Sequence, residues 1–82
     1  MRRLAIIRKA GVSVNDHSGR KNIVFSTYTE EGVAADQWID PKEDAFLSLW
    51  DAMNGNIDNL NGKACWVNQD DTFIRFESMA AL

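Results

Sequence analysis

The stretch that most constrains this chain is Gly62 to Glu77, GKACWVNQDDTFIRFE, which reads as a tight β-hairpin with apolar residues on both faces. Side chains alternate along a strand, so a turn at Asn68-Gln69-Asp70-Asp71 sets residue 67 opposite 72, 66 opposite 73 and 65 opposite 74. Cys65, Val67, Ile74 and Phe76 then share one face, and Ala64, Trp66, Phe73 and Arg75 share the other. One apolar face builds a core; a second asks for a cover. Trp66 directly across from Phe73 is an aromatic cross-strand pair, worth on the order of 0.2–1 kcal/mol.

Upstream, the even positions Leu4, Ile6, Arg8, Ala10, Val12 and Val14 mark one side of a half-buried first strand, with Gly11 as the place for a bulge. Asn15 to Lys21 is a run of turn formers and reads as an exposed loop. Ile23 to Thr29, IVFSTYT, is rich in β-branched and aromatic residues and forms the second strand. Glu30-Glu31-Gly32 turns the chain, and Val33 to Ile39 returns as a third strand. Asp40-Pro41-Lys42-Glu43 has the chemistry of a helix start: Asp40 caps the Glu43 amide, Glu43 reaches back, and Pro41 suits the first helical position. Phe46, Leu49, Trp50 and Met53 follow at i, i+3, i+4 and i+7, one apolar stripe that places Trp50 in the core. Asn54-Gly55 closes the helix, and the connection Asn56 to Asn61 supplies Ile57 and Leu60 as core pegs.

The order is therefore β-β-β-α-β-β. Consecutive strands on short loops build an antiparallel sheet of four to five strands, with one amphipathic helix on one face: an α+β single domain over residues 1–82. The other sheet face is left to solvent or to another molecule, which is why the two-faced hairpin matters. The composition, 45% hydrophobic and 26% charged with one Pro, is that of an ordinary globular chain. No apolar run approaches the roughly 18 residues of a membrane span. The opening MRRLAIIRKAG returns to charge at Arg8 and Lys9, so it reads as a strand and not as a signal peptide. One Cys has no internal disulfide partner, and the expected compartment is the cytoplasm.

The residue types point away from an enzyme. His17, the one histidine, sits in a polar turn between Asp16 and Ser18, and three adjacent loop residues do not converge as a nucleophile, base and orienting acid must. Cys65 belongs to the core face of a strand, where Lys63 is the only adjacent cation that could favour thiolate. The acidic pairs Glu30-Glu31, Glu43-Asp44 and Asp70-Asp71 point apart, and Asp70-Asp71 lacks the further oxygens of a calcium loop. One His and one Cys far apart do not make a zinc site, and Gly11, Gly55 and Gly62 are not spaced to cradle phosphate. No metal or cofactor is expected.

The charge divides unevenly: residues 1–40 hold six Lys/Arg against five Asp/Glu, and residues 41–82 hold three against seven. The net −3 argues against nucleic acid and suits a basic partner. Of the three tryptophans, alternation puts Trp66 outside, while Trp38 is left open. An outward Trp66 with Phe73 and Arg75, flanked by Asp70 and Asp71, has the composition of an interface centre, and these five residues are the candidate binding surface. Its cover is a second copy of the chain, a foreign protein, the loop after the first strand, or the tail Met79 to Leu82.

Leu60-Asn61-Gly62-Lys63-Ala64-Cys65-Trp66-Val67 fits the pattern L-x-G-K-x-C-x-V, preceded by an amphipathic helix and followed by a polar turn and an aromatic strand. Over roughly the last half of the chain this resembles small single-domain bacteriophage and prophage proteins, anti-CRISPR and other anti-defence inhibitors among them. The resemblance implies a non-enzymatic inhibitor that occupies a site on a host defence protein in the host-cell cytoplasm, and it carries over no residue roles. The residues themselves also admit a small homodimeric structural or regulatory protein, and a single-stranded nucleic-acid binder against which the acidic second half argues.

Overall fold

The computed structural model describes residues 1–80, so Ala81 and Leu82 of the proposed covering tail lie outside the described residues. Five strands are ordered along the chain: β1 (Arg2–Val14), β2 (Lys21–Thr29), β3 (Ala34–Ile39), β4 (Ala64–Gln69) and β5 (Ile74–Met79). Helix α1 (Asp44–Met53) and a 3₁₀ turn (Ile57–Leu60) lie between β3 and β4. The strands form one sheet in the order β3-β2-β1-β4-β5 with every neighbouring pair antiparallel, an α+β fold of order β-β-β-α-β-β.

The sheet curls until its two edges meet. Phe25 on β2 and Phe76 on β5 stand three strands apart in the sheet, yet their rings pack edge to face with centroids 5.3 Å apart. Counting the antiparallel pairings from β1 outward, β3 and β5 both run parallel to β1 and hence to each other. Where they meet, no strand ladder joins them; the Gln37 side chain does. Its Nε2 donates to the Ile74 carbonyl at 2.9 Å, and its Oε1 accepts from the Phe76 amide at 3.0 Å. One carboxamide thus bonds the O of residue i and the N–H of residue i+2, the pattern that the N–H and C=O of a single residue present in a parallel ladder. The result is a small five-stranded barrel left partly open along one seam.

The core fills the inside of the curl. Ala5, Ile7, Ile23, Phe25, Ile39, Cys65, Val67 and Phe76 come from the sheet, and Leu49, Met53 and Leu60 plug it from α1 and the 3₁₀ turn. Thr27 is buried beside Gln37, its hydroxyl donating to the Ala35 carbonyl at 3.3 Å.

The first strand changes sides half-way. Arg8 pairs with Ser26 and Gly11 with Val24, so Lys9 and Ala10 together oppose Phe25 as a β-bulge, two residues from the one expected at Gly11. Before the bulge the odd positions Ala5 and Ile7 are buried; after it Ala10 packs on the core and Val12 stands opposite Ile23. The expected single even-numbered face is therefore corrected. Leu4 and Ile6 lie on the outer face, half-buried, Leu4 across from Trp66 and Ile6 across from Tyr28.

The helix start is also corrected. Asp40 to Glu43 form a separate turn: the Asp40 carboxylate accepts from the Lys42 amide at 2.9 Å, and Glu43 Oε2 accepts from the Asp40 amide at 2.8 Å. The reciprocal bonding expected of these residues exists in part, but α1 begins after it, with Glu43 as N-cap and no side-chain cap. Its end is as expected, with Asn54 and Gly55 both at positive φ. Trp50 is not core: 53% of it is exposed, and it stacks on Phe46 with centroids 5.8 Å apart. The barrel mouth admits only the side of α1 that bears Leu49 and Met53, leaving the Phe46–Trp50 edge of the stripe at the rim.

Candidate functional site

The hairpin turn has the expected four residues but lies two positions further along the chain than its sequence suggests. Gln69 pairs with Ile74, Asn68 with Arg75 and Val67 with Phe76, and the loop is Asp70 to Phe73. The Asp70 carboxylate builds this loop, accepting from the Phe73 amide at 2.7 Å and the Thr72 amide at 2.8 Å. Those two bonds, the Phe73 amide first, hold its pKa below the ordinary carboxylate value. The shift moves partners by an even number of residues, so the core face survives: Cys65, Val67 and Phe76 are buried and Ile74 is half-buried.

The Trp66–Phe73 pair does not form. The displaced turn puts Phe73 in the loop and Trp66 near the far end of β5, where a second bulge between Trp66 and Val67 sets it across from Ser78; its ring lies half-buried under the Arg2 guanidinium, 4.4 Å from ring centroid to Cζ. Arg2 in turn pairs with Glu77 at 3.3 Å. The outer face around Trp66 is thus covered in part by the chain itself, by a residue the sequence reading did not single out. Met79 and Ala80 do not fold back over it: Met79 pairs with Cys65, and the Ala80 amide bonds the Ala64 carbonyl at 3.1 Å.

Phe73 and Arg75 find a different aromatic neighbour. They line a cleft of about 240 Å³ along the β3–β5 seam together with Trp38, Asp36 and Glu43. Trp38 is 56% exposed and Phe73 58%, and the Arg75 guanidinium lies 5.9 Å from the Phe73 ring centroid. Of the five residues picked from sequence, the structure gathers Phe73 and Arg75 at this cleft, places Asp70 and Asp71 on the adjoining loop, and leaves Trp66 on the outer face of β4. Trp38 was missed because nothing local reveals that β3 and β5 meet. The signal available was its alternation with Gln37, an amide set opposite Phe25 on the inner face.

Chemistry elsewhere is sparse. His17 lies in the loop between β1 and β2, where its amide donates to Asn15 Oδ1 at 2.9 Å. Cys65 is fully buried, and burial pushes its thiol up to about 11. Among the described residues no three His, Cys, Asp or Glu side chains cluster as metal ligands, and no helix is long and apolar enough to cross a membrane.

The chain matches no family model, no curated protein and no solved structure. Its functional reading therefore rests on geometry and chemistry.

Proposed function

We propose that this protein is a non-catalytic binding module that works by occupying the surface of another protein, with the seam of the barrel as its contact. The observation that carries this reading is one cleft lined by two large exposed aromatic side chains, Trp38 and Phe73, together with Arg75. Trp and Arg are enriched at the energetic centres of interfaces, and rings that are more than half exposed lose water over most of their area when covered. Asp70, Asp71 and Glu43 lie around the cleft and favour a partner that brings Lys or Arg to the rim.

The finer reading, a phage-type inhibitor seated on a host defence protein, draws on the resemblance of residues 60–67 and the rest of that half of the chain. A homodimer through the same aromatic face is the alternative. Affinity capture with immobilised protein compares the wild type with Trp38→Thr/Phe73→Thr, sedimentation reports any dimer, and circular dichroism verifies the fold. A partner or dimer held by the wild type and lost by a folded double mutant supports the proposal. Equal capture by both overturns it.

A further inference from the structure

The bulge in β1 has a chemical consequence. In a regular strand the consecutive cations Arg8 and Lys9 would point to opposite faces. Here Lys9 takes a left-handed backbone, φ 58°, and both side chains line one open cleft on the outer face of β1 and β2. A non-glycine residue held in that conformation is strained, and bulges are a common means of re-aiming a side chain.

No carboxylate lines the cleft. Beside the two cations it is lined by Tyr28 and Asn61. Asn61 Oδ1 already accepts from the Ala10 amide at 2.9 Å, and its Nδ2 group makes no hydrogen bond within the described residues, leaving it as a donor. The Arg8 guanidinium lies over Gly62, where a Cβ would come within 3.3 Å of Nη1, so the glycine leaves the space the cation occupies. Arg2, Arg3 and Arg20 pair with Glu77, Glu31 and Asp40, whereas Arg8 and Lys9 have no carboxylate partner among the described residues. The Arg8 guanidinium spends one weak bond, 3.4 Å, on the Ile7 carbonyl and keeps its other N–H groups; a guanidinium, an ammonium, a phenol and an amide lining one cleft without a carboxylate suit a tetrahedral oxyanion such as phosphate.

Lys9 also lines a second cleft of about 380 Å³, whose wall is the exposed ring of Trp38 beside Val24. Asp36 is the carboxylate there, and it is engaged by the Ser26 hydroxyl at 2.7 Å. A donor cleft joined through one lysine to an aromatic wall fits a phosphate attached to a flat ring. We infer that the outer face of β1–β2–β3 binds a nucleotide unit, with its phosphate at Arg8, Lys9, Tyr28 and Asn61 and its base on Trp38. The net charge of −3 favours a single nucleotide over a long polyanion.

The test is a titration of ¹⁵N-labelled protein at low salt with AMP, adenosine, inorganic phosphate and a short oligothymidylate. AMP shifts the amides of residues 8–10, 28, 38 and 61 with a Kd of about 1 mM or tighter, and binds more tightly than phosphate or adenosine alone. Oligothymidylate that binds more tightly than AMP assigns the same site to a nucleotide within a strand. Lys9→Gly relieves the backbone strain while removing the cation, so it stays folded and loses about tenfold or more in AMP affinity; Arg8→Ala loses a similar factor. Absence of shifts up to about 10 mM AMP, shifts centred elsewhere, or full AMP affinity in Lys9→Gly overturns the inference. Phe73→Thr leaves AMP binding intact, which separates this site from the seam contact.

Discussion

Gln37 is the residue whose replacement tests the architecture most directly. It is 7% exposed and supplies both hydrogen bonds recorded between β3 and β5, to the Ile74 carbonyl and from the Phe76 amide. Leu has nearly the same volume and makes neither bond, so Gln37→Leu leaves two backbone groups without partners. The Phe76 bond is buried and the Ile74 bond partly so, and a buried polar group left unmade costs about 1–3 kcal/mol, less where water reaches it. Together the loss is about 2–4 kcal/mol, or roughly 10–25 °C in Tm for a chain of this size. Urea and thermal melts followed by circular dichroism read the total, and amide exchange at Phe76 reads the local part. Gln37→Glu keeps the acceptor for Phe76 but sets a carboxylate against the Ile74 carbonyl, and destabilises at least as much. If Gln37→Leu unfolds within about 0.5 kcal/mol of wild type with Phe76 exchange unchanged, the seam is closed by packing alone and the role given to the carboxamide is wrong.

Asp40→Ala removes the bond to the Lys42 amide and the contact with Arg20 at 3.8 Å, and lowers stability by about 1 kcal/mol in a thermal melt although Asp40 lies ahead of α1. The Cys65 thiol, raised by burial from 9.0 to about 11, favours the folded state while neutral, so stability is full below pH 9 and falls as pH rises through 11; Cys65→Val abolishes that alkaline loss in pH-dependent melts. At neutral pH the same thiol reacts with a disulfide reagent only as fast as the chain opens. Asp70, whose carboxylate is held below its ordinary pKa of 3.8, contributes stability above that value and loses it as pH falls; Asp70→Asn flattens the acid limb of the same profile. Trp50→Ala, at an exposed site stacked on Phe46, costs about 1 kcal/mol, far below the roughly 3–5 kcal/mol of a core tryptophan.

Local periodicity made the elements legible, and long-range closure hid the surface. The six elements of the order β-β-β-α-β-β follow from runs such as IVFSTYT and from the left-handed pair Asn54-Gly55, because strand and helix periods are written in neighbouring residues. The core face of the hairpin was legible for the same reason, since displacing the turn along the chain shifts every partner by an even number of residues and preserves parity. Odd insertions were not: the bulge at Lys9 reverses β1, and the one after Trp66 moves its partner on to Ser78, while the displaced turn leaves Phe73 in the loop and so removes the expected aromatic pair. Gln37 looks like an ordinary polar strand residue until β3 and β5 are known to meet, and only that meeting puts Trp38 beside Phe73 and Arg75. Trp50 followed helical spacing correctly, yet the width of the barrel mouth, which spacing does not encode, decided that it stays in water.

A flat sheet of five strands exposes two rows of amide and carbonyl groups along which further chains can polymerise. In this protein those rows face one another across the seam, and one side chain is already hydrogen-bonded into the gap. Resistance to edge-to-edge aggregation is therefore concentrated at a single position. A lesion at Gln37 releases two templates at once, and its outcome in concentrated solution is fibrous or amorphous association before the chain has unfolded, so solubility is a more sensitive gauge of an intact seam than Tm.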